Sequence, residues 1–342
     1  MKALVLKDYM NLVYKDVPEP EYGANEVLVQ VKACGICGSD VHGMDGSSGR
    51  RIPPIIMGHE ASGVIVERGE NVKQWQVGDR VTFDSTIYPL DDWYTRKGMY
   101  NLSDGRMVLG VSPGTYRRHG AFAEYVSVPQ HILYKLPDQV TFNQAAMVEP
   151  AAVAFHAVEL TPVELGDSAV IVGAGMIGLF IIQTLKLKGC GAVYAVDLDQ
   201  DRLQLATELG ADVVLDAEKN VADIIKNKTH NRGADLAFEA VGIETTISTA
   251  INSVRRGATV TLVGNLSPQV SLPLQSVVTQ QLRLQGSCAI AGEYPAVLRM
   301  IENGRINVDP MLTAAAPLSE GAEWFKRIYN KEPGIMKVVL NP

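Results

Sequence analysis

Cysteine is scarce: the chain has four in 342 residues, Cys34, Cys37, Cys190 and Cys288. So few thiols in so long a chain exclude a disulfide framework and fit a reducing compartment. Long apolar runs are also missing, the longest near-apolar stretch, Ala169 to Ile182, being shorter than the ~20 residues a membrane helix needs. The N-terminal stretch MKALVLKDYM meets charge at Lys7 and Asp8, too early for the apolar core of a secretory signal. No block of one charge occurs. The 31 basic and 38 acidic residues are interspersed and leave a net charge of −7, which argues against nucleic acid or an anionic membrane as partner. With no internal repeat or low-complexity tract either, the expectation is a cytoplasmic protein whose partner is a small molecule.

What is present is the composition of a globular protein, 46% hydrophobic and 20% charged, with length for two domains and a full core. Up to about Pro150 short β-rich pieces such as EVLVQVKA, ASGVIVERG and FAEYVSV are separated by Gly, Pro and Asp turns, which predicts an irregular all-β unit. From about Ala151 the rhythm changes to strand, glycine turn, helix, strand: SAVIVG, MIGLFIIQTLKLKG, AVYAVD, DRLQLATELG, VVLD. That alternation predicts a parallel, doubly wound α/β sheet with helices on both faces. A helix at EYPAVLRMIENG and a strand at KVVLNP close the chain.

The run GAGMIG, with Gly173, Gly175, Ile177 and Gly178, follows a strand and opens a helix. Glycines in that place allow a tight turn, close approach of a pyrophosphate and close helix-to-strand packing, and the helix N-terminus offers N–H groups and a positive dipole end. GxGxxG alone is weak, but the next strand ends in Asp197, about 20 residues on, where a carboxylate can accept both ribose hydroxyls. The charge of Asp197 would repel a 2′-phosphate and no arginine directly follows it, so NAD is expected rather than NADP. Arg202 can flank the adenine or ribose, or can be a solvated residue of a helix's first turn.

Cys37 in CGICGSDVH and His59 in PIIMGHEASG offer a thiolate and an imidazole, good zinc ligands that do not by themselves specify a site. Cys34 and Cys37 read alternatively as a redox or buried CxxC pair, but such a redox motif should open a helix near a βαβ unit, and this one lies in β-rich sequence. Taken with GICGSDVH, MGHEASG, VGDRV, GAFAEY and VEPAAVAFHA, the whole chain resembles the zinc-dependent medium-chain alcohol and polyol dehydrogenases. Glu149, in a Glu-Pro pair, is similar to the sorbitol and polyol branch. The resemblance implies a GroES-like catalytic domain of residues 1–150 and 292–342 and a Rossmann NAD-binding domain of residues 151–291. It implies one zinc held by Cys37, His59 and a carboxylate, Glu149 being favoured and Glu60 the alternate. It implies that Ser39 contacts the substrate oxygen, that His42 passes the proton to solvent, and that Val263, Gly264 and Asn265 lie under the nicotinamide. Asp40 would orient His59 from behind, or serve as a turn or capping aspartate; Lys337 would pair near the metal, or be a solvated strand-end lysine.

The same resemblance marks departures. Pro89, Asp92, Thr95 and Ser103 occupy the positions of four structural-zinc cysteines, so no structural zinc is expected, and Trp93, Tyr94, Met99 and Tyr100 are candidates to hold that lobe by apolar packing. Gly43, Ala289 and Ile290 replace pocket residues of sorbitol dehydrogenases. Arg50 with Arg51, and Arg117 with Arg118, could bind an anionic substrate or be solvated loop pairs. The expected activity is transfer of a hydride to NAD from a secondary alcohol of a polyol, sugar alcohol or sugar acid, phosphorylated or not. The alternatives are amino-alcohol oxidation resembling L-threonine 3-dehydrogenase, and a non-catalytic member of the fold. The branch implies a homo-tetramer or dimer, with apolar strand segments near Leu272 to Leu284 available to pair across a two-fold axis.

Overall fold

The computed structural model describes all residues from Met1 to Pro342. Its contacts divide the chain into two units, Met1–Glu149 with Ile290–Gly304 and Val308–Pro342, and Pro150–Ala289 with Arg305–Asn307.

The second unit is built on a six-stranded parallel sheet in the order Val213–Asp216, Ala192–Asp197, Ser168–Val172, Ala234–Glu239, Val254–Leu262, Arg283–Gly286. All five residues of the Ser168–Val172 strand are buried, as a strand covered on both faces must be. Strand order reverses between this strand and Ala234–Glu239, which opens a crevice at their carboxyl ends. The helix Met176–Lys188 leaves from that point and stops at Gly189, whose φ of 87° lets its N–H reach Leu185 and Lys186 carbonyls. Arg305–Asn307 belongs to this unit because the side-chain amide of Gln183 donates to the Asn307 carbonyl at 3.1 Å and accepts the Asn307 N–H at 2.7 Å. The expected strand over Leu272 to Leu284 is only half a strand: Pro273 caps a helix, Leu274–Thr279, and the strand begins at Arg283. Proline's fixed φ and missing N–H favour a helix start over a sheet position there.

The first unit is organised by one strand, Glu26–Gly35, in a seven-stranded sheet. It pairs antiparallel with Glu60–Arg68 along one side, and with Tyr125–Pro129 and then Lys337–Asn341 along the other. Register irregularities at Leu28/Val29 and Val31/Ala33 add local twist. At its end Gly35 stands opposite both Glu60 and Val339, so three remote segments meet where the chain turns into Cys37 and the helix Gly38–Met44. Below lies an apolar core that includes Leu4, Ile55, Met57, Phe83, Phe122 and Phe325. Phe122 and Phe325 meet edge to face at 5.5 Å.

The lobe that lacks cysteines is held differently from expectation. Asp92 accepts the Thr95 N–H at 2.7 Å on one carboxylate oxygen and the Ser103 hydroxyl on the other. One carboxylate therefore ties together three of the four positions, with polar bonds in place of thiolates. Trp93 is 64% exposed and touches only Tyr94 edge to face among the rings, so it anchors little. Tyr100 does pack: it is buried, stacks on Tyr88 at 4.2 Å and donates to Asp84 at 2.7 Å. Asp84 is buried with it, and desolvation pushes its carboxyl up to about 6 against the Tyr100 and Thr86 hydrogen bonds.

Two outcomes are expected. Asp92→Ala should make trypsin cleavage at the exposed Arg96 and Lys97 roughly 5–10-fold faster, read by limited proteolysis, with cleavage elsewhere unchanged. Because the folded-state pKa of Asp84 is raised, its contribution to stability is complete below the ordinary carboxylate pKa and is lost as pH rises through about 6. Wild type should thus lose roughly 3 kcal/mol relative to Asp84→Asn between pH ~4 and pH ~7, measured by urea unfolding.

Candidate metal and cofactor sites

Cys37 is the residue before the helix Gly38–Met44, held extended at φ −90° and ψ 149°. Its carbonyl accepts the Asp40 and Val41 N–H groups, and Asp40 Oδ2 accepts the Cys37 N–H at 3.3 Å. The Asp40 side chain is fully buried, and its Oδ1 lies 3.3 Å from His59 Nδ1 and 2.9 Å from Arg51 Nη2. Burial alone would raise Asp40, but His59 and Arg51 override it and hold the carboxyl well below the usual range. In the same way burial would lower His59, while Asp40, assisted by Cys37, raises its pKa well above the ordinary value. The proton this setting retains is the one a metal displaces.

The donor atoms of Cys37, His59 and Glu60 all lie within 4.8 Å of one another. Glu60 starts its strand and is 1% exposed; its Oε2 accepts Lys337 Nζ at 2.6 Å, and Lys337 also donates to the Ile36 carbonyl at 3.1 Å. A Cβ on Gly35 would fall 2.4 Å from that Glu60 oxygen, so the absence of a side chain at Gly35 makes the carboxylate's place. Glu149, in the first turn of the helix Val148–Glu159, is outside the close group of donors but within its field. Desolvation pushes its carboxyl up to about 8, opposed by His59 and reinforced by Glu60. Thiolate, imidazole and carboxylate at this spacing suit zinc. Ser39 and His42 are exposed on the short helix, and the Ser39 hydroxyl donates to Cys37 Sγ at 3.3 Å.

Neither arginine pair is simply a solvated loop pair. Arg51 is 4% exposed and bound to Asp40 and Ser39, and Arg118 is bound to Glu26 and to the Ser127 carbonyl; Arg50 and Arg117 remain exposed. Gly35 is not recognisable as part of the site from sequence, since nothing in spacing says which side chain needs a missing Cβ, and for the Arg50 and Arg51 pair the sequence does not say which of the two turns inward.

In the second unit the glycine turn has the geometry of a phosphate cradle. Gly173 has φ 101°, and a Cβ there would meet Val241 Cγ2 at 2.6 Å. One on Gly178 would fall 1.9 Å from the Gly173 carbonyl, so helix and turn close only around glycine. Gly175 precedes the helix, open except for Arg202 Nη1 at 3.9 Å from a notional Cβ, while Ile177 lies in the helix's first turn. Asp197, at its strand's end, accepts the Ala174 N–H at 2.7 Å and the Asp199 N–H at 3.0 Å, which aims its carboxylate at the turn. Val263 and Gly264 both donate to the Glu239 carbonyl, and Gly264 abuts Gly242 and Val241 so closely that no side chain fits; Asn265 follows, exposed.

The sequence matches the alcohol dehydrogenase GroES-like domain over residues 23–138 and the zinc-binding dehydrogenase family over residues 177–303. It is 33% identical to (R,R)-butanediol dehydrogenase of Bacillus subtilis (strain 168), covering 100% of both chains. It is 33% identical to sorbitol dehydrogenase of Ovis aries, covering 95% of this chain and 92% of that one. The fold is similar to a zinc-binding dehydrogenase from Sinorhizobium meliloti 1021 bound to NADP, with a TM-score of 0.89, 28% identity, and 100% and 99% of the two chains covered.

Lys337 is buried only because Glu60 neutralises it. Lys337→Met should cost about 3–5 kcal/mol in urea unfolding, and Glu60→Gln in the same chain should recover most of that loss, as expected when a buried charge is stripped of its partner and then itself removed.

Proposed function

The chain belongs to the zinc-dependent medium-chain alcohol and polyol dehydrogenases, and we propose that it oxidises a secondary alcohol of a polyol, sugar alcohol or sugar acid with NAD and a single zinc. The observation that carries this is the convergence of Cys37, His59 and Glu60, their donor atoms within 4.8 Å, around a position backed by two buried cation–carboxylate pairs. When bound, zinc polarises the alcohol oxygen and the nicotinamide accepts the hydride.

The chain's own residues do the rest. Cys37 and His59 hold the metal with one carboxylate, Glu60 as arranged here, and Glu149 as the second carboxylate able to take its place or hold a water. Asp40 keeps the His59 ring turned by facing its Nδ1. Ser39 takes the proton of the substrate hydroxyl as it gives up its own, which turns from Cys37 Sγ toward the exposed His42 on the same helix, and His42 releases a proton to water. Asp197 supports NAD: its fixed carboxylate matches ribose hydroxyls and repels a 2′-phosphate. Gly173, Gly175, Ile177 and Gly178 receive the pyrophosphate at the helix start, with Arg202 beside them and Val263, Gly264 and Asn265 supporting the nicotinamide. The Asp92 link among Thr95 and Ser103 supports the absence of a structural zinc. We read the protein as a cytoplasmic homo-oligomer, dimer or tetramer, in which Leu272, Leu274 and Val278, all exposed beside the edge strand Arg283–Gly286, are available for subunit contact.

Elemental analysis should find about one zinc per chain, and a screen of NAD and NADP reduction over sugar alcohols, their phosphates, aldonic acids and L-threonine should give turnover with NAD on the polyol class. Cys37→Ser or His59→Ala should remove metal and activity together. A fully active metal-free chain, or strong turnover of L-threonine with none of any polyol, would refute the reading.

A further inference from the structure

Gly43 and Arg51 lie outside the ligand set, yet the structure joins them. Backbone bonds to Ser112 on either side of Arg51 pin its segment: Ser112 N–H to the Arg50 carbonyl at 2.9 Å and Ile52 N–H to the Ser112 carbonyl at 3.0 Å. From there the side chain runs across Gly43, where a Cβ would fall 2.3 Å from Arg51 Cδ and 2.9 Å from Cγ. The φ of Gly43 is not in the left-handed region, so the glycine serves space and not backbone freedom. At its tip Nη2 donates to Asp40 Oδ1 at 2.9 Å and to Ser39 Oγ at 3.1 Å, while Nε is buried with no partner. An incompletely satisfied guanidinium is costly to bury, so its placement calls for a reason beyond packing.

The reason lies in what it touches. Asp40 faces His59 Nδ1 and accepts the Cys37 N–H, and Ser39 donates to Cys37 Sγ, so one cation arranges the neighbours of both proposed zinc ligands. A hydroxyl has one proton and two lone pairs. With its proton directed at Cys37 and one lone pair taken by Arg51, Ser39 keeps a single lone pair in a defined direction. We propose that Arg51, seated in the slot left by Gly43, is a positioning residue that aims this lone pair at the substrate hydroxyl and locks Asp40 behind His59. It is not an anchor for an anionic substrate. This inference rests on the zinc dehydrogenase reading of the same site.

The test compares Arg51→Ala, Gly43→Ala and the double variant by steady-state kinetics on a neutral polyol and by competition of each protein with a chelator for zinc. Arg51→Ala should lower kcat by about 10–100-fold with KM changed less than about threefold, weaken zinc binding by about 10–100-fold, and be partly rescued by added guanidinium but not ammonium. Gly43→Ala keeps the arginine but displaces it, and should shift kcat and zinc affinity in the same direction. In the double variant the Gly43→Ala penalty should vanish, because nothing is left to displace. Additive losses would overturn the proposal, as would an Arg51→Ala enzyme whose only defect is a raised KM for phosphorylated or carboxylate substrates. Wild type that takes up no zinc sinks the reading of the site and this inference with it; zinc-loaded wild type matched by both single variants in kcat and zinc affinity sinks this inference alone.

Discussion

Two cations buried beside two carboxylates set the terms for the first unit. Lys337 reaches Glu60 and Arg51 reaches Asp40, with side chains no more than 4% exposed in either pair. Charges taken this far out of water are tolerable only with partners close and aligned. The strand register Gly35–Glu60–Val339 therefore does more than close a sheet. It brings a lysine 277 residues away in the chain to the back of a carboxylate whose other side faces Cys37 and His59. Glu60 and Asp40 are thereby held in place by partners within the protein itself.

The second unit depends on a different constraint, close backbone approach. Its glycine turn is shaped by what cannot be there: side chains on Gly173, Gly178 or Gly264 would strike Val241, the Gly173 carbonyl or the Gly242 segment. Asp197 then completes the cradle from the neighbouring strand, fixed by two backbone N–H groups. Paired charge arranges the Cys37, His59 and Glu60 group, and absent side chains shape the glycine turn.

Much of this was legible in sequence for physical reasons. A parallel sheet buried on both faces leaves near-continuous Val, Ile and Leu runs, and the stretch SAVIVGAGMIG announces strand, turn and helix in that order. Cys37 and His59 were readable as candidates because ligand chemistry restricts residue type, while for the carboxylate the sequence favoured Glu149 and kept Glu60 as the alternate. The lobe around Asp92 was legible only in part: of the aromatic residues that suggested apolar packing, Tyr100 is buried and stacked on Tyr88, but Trp93 faces water and a carboxylate bridges Thr95 and Ser103. Short polar side chains carry no periodic signal, so a clamp made of them cannot be seen in a pattern. The helix at Leu274–Thr279 escaped for a related reason, since a short apolar run fits strand or helix and only Pro273 argued for one.

The sequence alone determined the two-part α/β organisation, the glycine turn with Asp197, and the residue types available to hold a metal, because these follow from hydrophobic period, backbone freedom and donor chemistry at short range. Only the tertiary structure decided that Glu60 joins Cys37 and His59 at close range while Glu149 stands apart, and that Arg51 turns inward across Gly43 while Arg50 stays in water. Those choices depend on register across a sheet and on the space left by a missing Cβ. Both are set by residues far apart in the chain, and neither leaves a mark in local pattern.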